Sequence, residues 1–159
     1  MRVVTYDMSD FMTQCVSAYQ NLAGATGAKL KKVPTPFNDE DSIPDAEDQG
    51  GGELGPIASK VLMKVLYGAR MARYDLLRPV TVLAARVTKW TRKCDRMLHR
   101  LICYIDSTAD VNVKMRGWVG DDIGCLDLSM YTDADCAGDK TDFKSTSGVY
   151  LKVACKYTS

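Results

Sequence analysis

The chain has a single histidine, His99, no pair of cysteines at CxxC spacing, and no glutamate after Glu53. A structural zinc site needs at least one tight pair of soft ligands, so its six scattered cysteines are expected to be reduced and buried as small hydrophobes. Long apolar runs are missing too. Nothing approaches the about 18 uncharged apolar residues that cross a bilayer, and "MRVVTYDMSD" lacks the apolar stretch of a secretory leader. The expectation is a soluble, intracellular chain with no membrane partner, cytoplasm and nucleus not being distinguishable. Net charge is close to balanced, at +1 over 159 residues, which removes overall charge as a clue to partners.

Against these absences the chain is plainly segmented. Residues 8–23, "MSDFMTQCVSAYQNLA", open at Ser9, a good N-cap residue, place Phe11, Cys15, Ala18, Tyr19 and Leu22 at helical spacing, and stop at Gly24. From Lys29 to Pro56 come four prolines, a triple glycine and, between Asn38 and Gly55, seven acids without a base. Such a composition cannot offset its ordering entropy by burial, so residues 34–55 are expected to form an extended linker. Residues 57–74 repeat Val61, Val65, Ala69 and Ala72 along a helix face whose small residues allow a neighbour close. Pro79 sits in the first turn of a second helix, and Thr91 is placed to cap a third, with Met97, Leu98, Leu101, Ile102 and Ile105 on one side.

Charge is uneven in this stretch. Residues 56–116 hold thirteen Lys/Arg against four Asp, and Arg86, Lys89, Arg92, Lys93, Arg96 and Arg100 gather around Trp90. A solvated helix face and a stripe that contacts a phosphate backbone are both consistent with this pattern; the second would weaken as salt rises.

Past Asp110 the period becomes two. "VNVKMRGW", "LDLSMYTD" and "TSGVYLKVAC" read as strands, with residues 126–133 and 146–155 paired as an antiparallel hairpin around an aspartate-rich loop. Asp133 and Asp135 then share a face with Tyr131. An EF-hand reading begun at Asp133 fails, because Ala137 and Lys144 stand where a ligand and a bidentate glutamate are needed. Asp139 and Asp142 are turn residues by type.

"YTDADCAGDKTDFKSTSGVYL" resembles the signature SDADWAGD…RKSTSGY that opens the ribonuclease H domain of copia-type LTR retrotransposon Pol polyproteins, with Cys136 for the usual tryptophan and Phe143 for the usual arginine. In the family's order, "KKVPTPF" resembles its KPVSTPL segment, "LLRPVTVLAARVTKW" its RPDI…AV…LSRF helix, and "LHRLICYIDST" its LKRILRYLKGT helix. Together these cover most of residues 8–153. The resemblance implies an α+β chain in four parts: a thumb-like helical segment (1–33), an acidic linker (34–55), a basic helical connection subdomain (56–110) and an incomplete ribonuclease H sheet (111–159). It implies an RNA/DNA hybrid or template–primer duplex as partner. It implies Mg²⁺ as the family's ion, with Asp133 as the first ribonuclease H carboxylate and metal ligand. Two-metal chemistry needs several carboxylates on rigid supports. With the partner glutamate and aspartates missing, Mg²⁺ is expected to be held poorly and catalysis to be absent from this chain alone. Two alternatives stand beside this: a nucleic-acid-binding module built on the basic helices, and a nuclease completed in trans by another chain.

Overall fold

A computed structural model describes residues 2–24, 29–37, 50–111, 113–119, 123–135 and 145–155. The fold is α+β. In chain order come β1 (Arg2–Asp7), α1 (Ser9–Ala23), α2 (Gly55–Met71), α3 (Leu77–Ala85), α4 (Arg92–Ser107), β2 (Lys114–Val119), β3 (Leu126–Asp135) and β4 (Thr146–Cys155). β1 pairs with β2, and β3 with β4. The chain divides into two compact units, residues 5–115 and residues 1–4 with 116–159.

In the larger unit the four helices close around one core. Met12, Cys15, Val16 and Tyr19 come from α1, Val61, Leu62, Val65 and Ala69 from α2, Val80 and Leu83 from α3, and Leu98, Leu101, Ile102 and Ile105 from α4. The helix of the segment expected to be thumb-like shares this core with the connection helices. The buried stripe of α1 is centred on Met12, Cys15, Val16 and Tyr19, with Phe11 and Leu22 only partly covered at its margins. Close approach between α1 and α2 depends on Gly68, where an added Cβ would lie 2.5 Å from the Met12 sulfur.

Helix ends follow local chemistry. Thr91 caps α4 as expected, its hydroxyl accepting from the Cys94 N–H. At the start of α1, Asp7 does the work anticipated for Ser9: its carboxylate accepts from both the backbone N–H (3.0 Å) and the hydroxyl of Ser9. Ser9 is itself the first helical residue. Gly24, at φ +51°, ends α1 in a conformation that only glycine adopts cheaply.

The end of the expected linker is held in place. Gly51 bridges to Thr91, Gly52 N–H donates to the Trp90 carbonyl, and Asp95 receives the N–H groups of Glu53 (2.8 Å) and Leu54 (3.0 Å). The same carboxylate accepts the Trp90 indole N–H at 2.7 Å. One side chain in the first turn of α4 therefore ties down the entry to α2. Of the same expectation, residues 34–37 are described and residues 38–49 lie outside the described residues.

A second polar tie sits at the other end of the helices. Arg73 is fully buried, yet each of its three side-chain nitrogens finds a partner: Nε and Nη2 grip the Asp75 carboxylate, while Nη1 and Nη2 reach the Thr108 carbonyl and hydroxyl. The Tyr104 ring lies 5.5 Å from the guanidinium and its hydroxyl donates to Asp75. Burial of Asp75 opposes its ionisation, but the Arg73 hydrogen bonds and charge outweigh it and hold the carboxyl below its ordinary value.

In the smaller unit β3 and β4 pair over ten residues, Leu126 opposite Cys155 through Asp135 opposite Thr146. Alternation sorts this hairpin into two faces. Leu126, Leu128, Met130, Val149, Leu151 and Val153 lie on one, all exposed. Asp127, Ser129, Tyr131, Asp133, Tyr150 and Lys152 lie on the other.

Candidate nucleic-acid interface and carboxylate site

Asp133 stands near the end of β3, opposite Gly148, and is exposed to solvent. Tyr131, two residues back on the same face, stacks across the ladder with Tyr150 at 6.0 Å between ring centroids. Asp135 follows on that face by register, opposite Thr146. The expected hairpin and shared face are therefore present. Asp139 and Asp142 lie outside the described residues.

Two Mg²⁺ ions about 4 Å apart need carboxylates from more than one rigid element. Among the described residues no group of three or more His, Cys, Asp or Glu side chains comes together to hold a metal. Of the other acids in register on this face, Asp135 is two residues on along the same strand and Asp127 six residues back, about 20 Å away at strand rise. The described acids of this face all come from β3, so by themselves they do not supply the separate rigid supports that a pair of Mg²⁺ ions needs.

The basic residues are better gathered. Arg92, Arg96 and Arg100 follow at four-residue intervals along α4 and form one stripe, with Lys93 beside it. Arg92 and Arg96 are exposed, Lys93 and Arg100 half-buried. Lys89 is exposed in the turn before α4, and Arg86 is half-buried at the end of α3. Arg100 already has a structural task, since Nε and Nη2 hold the carbonyl (3.1 Å) and hydroxyl (2.9 Å) of Thr35. Trp90, expected at the centre of the charge, is 9% exposed with its indole N–H on Asp95, so it belongs to the core and offers no stacking surface.

Sequence reasoning passed over a cavity of about 400 Å³ beside this stripe, walled in part by Tyr19, His99, Cys103 and Arg96. The clue was the four-residue spacing of His99 and Cys103, which puts both on one face of α4. None of the described helices is long and apolar enough to cross a membrane. No known protein family, curated protein or solved structure matches the chain.

Proposed function

We propose that this chain is a stretch of a copia-type Pol polyprotein in which a connection-like helical unit leads into the first strands of a ribonuclease H sheet. On this reading its own role is to contact a template–primer or RNA/DNA duplex, without cleaving it alone. The observation that carries the proposal is the β3–β4 register: it brings the DAD segment and the STSG segment, ten residues apart in the sequence, directly opposite each other. Neighbouring strands joined by a loop are what the resemblance implies for those motifs. Exposed Arg92 and Arg96, with half-buried Lys93 beside them, supply the cations that a phosphate backbone needs.

The test is Mg²⁺-dependent cleavage of an RNA/DNA hybrid by the purified chain. None is expected, and turnover that Asp133→Asn abolishes would overturn the proposal. A narrower alternative, a duplex-binding module with no link to ribonuclease H, is favoured by the continuous stripe on α4. It requires the same steep salt dependence of hybrid binding, but binding would then be unaffected by deleting residues 120–159.

A further inference from the structure

The cavity beside α4 encloses a chemistry that the proposed function does not use. His99 sits in its wall with Nδ1 3.0 Å from the Tyr19 hydroxyl and Nε2 3.4 Å from the Cys103 sulfur. The Lys31 backbone N–H points at the same sulfur from 3.5 Å. In the tautomer with its proton on Nδ1, shared with the Tyr19 oxygen, the imidazole presents Nε2 as the acceptor of the thiol proton.

The surrounding charge favours an anion. Lys31, Arg96 and Arg100 line the cavity on the cationic side. Two acids oppose them, Glu53 and Asp95, the latter accepting N–H groups from Trp90, Glu53 and Leu54, so three cations face two anions. A cleft of this volume admits a small molecule, and cations in its walls concentrate negatively charged ones.

The other cysteines whose side chains are described lack this setting. Cys15 is buried in the helical core, where loss of water pushes its thiol up to about 11. Cys94 is also in the core, with its sulfur against the Thr91 hydroxyl. Cys125 is exposed. Cys103, itself only 2% exposed, alone among them combines an imidazole at hydrogen-bond range, a backbone donor and a place in a cavity wall.

We propose that Cys103 is a thiol-exchange site, selective for small anionic disulfides, with His99 as its proton acceptor and donor. In the step, His99 Nε2 takes the Cys103 proton as the sulfur attacks one sulfur of the disulfide. A new S–S bond forms, the old one breaks, and the departing thiolate receives the proton from the imidazolium. One disulfide replaces another, so no further oxidant is consumed.

The experiment treats the whole chain with dithiodiglycolate, which carries two carboxylates, and with cystamine, a disulfide of similar size carrying two ammonium groups. Mixed disulfides are followed cysteine by cysteine by mass spectrometry. Cys103 should react at least about tenfold faster with the anionic reagent, with exposed Cys125 as the internal reference for intrinsic reagent reactivity. Its rate should also exceed those of Cys15 and Cys94. Arg96→Gln should reduce the charge preference, and His99→Gln, checked for folding by circular dichroism, should slow Cys103 with both reagents. Equal rates with the two disulfides after that correction, or a Cys103 rate no greater than those of Cys15 and Cys94, would overturn the proposal in the unmodified chain. An unchanged rate in folded His99→Gln would remove the imidazole from the step.

Discussion

Replacing Asp95 by alanine tests how the helical unit is held at one end. The carboxylate accepts the Trp90 indole N–H and the backbone N–H groups of Glu53 and Leu54, and two of these three bonds are partly buried. Hydrogen bonds to a charged group contribute about 1.5–3 kcal/mol each, and a buried donor left without a partner costs a similar amount. Counting the two partly buried bonds and discounting the exposed one gives a loss of about 3–6 kcal/mol. In a unit of this size each kcal/mol moves the melting temperature by about 4 °C, so a fall of more than about 10 °C is expected. Asp95→Asn keeps one acceptor oxygen but turns an NH₂ group toward the remaining donor, and should lose less than Asp95→Ala. Urea unfolding followed by tryptophan fluorescence measures both. A loss below about 1 kcal/mol for Asp95→Ala, or a greater loss for Asn than for Ala, would refute the account of one carboxylate joining the α2 entry to α4.

Four further outcomes are expected. Gly52→Ala should destabilise the same junction, because an added Cβ would meet the Thr91 carbonyl oxygen at 2.5 Å and the Trp90 ring at 2.7 Å, and thermal melting would register it. Asp75 titrates below its ordinary 3.8 in the folded chain, so its contribution is complete above that value and is lost as pH falls from about 3.8 through the lower folded value. Asp75→Asn should flatten that part of the stability–pH curve. Arg92→Ala together with Arg96→Ala should weaken hybrid binding and lower the slope of log affinity against log salt by about 2, in a filter-binding series; an unchanged slope would show that these cations do not contact phosphate. Leu98→Ala, at a fully buried position, should cost about 2–5 kcal/mol in the same urea assay.

What could be read in advance was local. The α4 stripe of Met97, Leu98, Leu101, Ile102 and Ile105 repeats at helical spacing, and every member is buried. Strict alternation in residues 126–133 and 146–155 announced the hairpin, since a period of two fixes which side chains share a face. β1 escaped notice because Arg2–Asp7 is short and its Val3 and Val4 are adjacent, breaking the alternation that marks a half-buried strand. Asp95 and Arg73 were invisible for a different reason. Each works on residues more than thirty positions away as well as on near ones, and a charged side chain in a helical stretch ordinarily belongs to solvent. The stripe was legible as charge, but not the use of Arg100 on Thr35, which depends on where another segment lies. The grouping of Tyr19 with His99 likewise spans eighty positions and exists only once α1 and α4 meet.

The two-sidedness of the β3–β4 ribbon makes dilution a meaningful variable. Its strands pair over ten residues, while a greasy flank of leucine, methionine and valine stays wetted. Water tolerates such a flank only while nothing else competes for it. Light scattering should therefore rise with protein concentration and fall with mild detergent, and one lysine written into the middle of that flank, at Leu128, would be the smallest edit to quiet it.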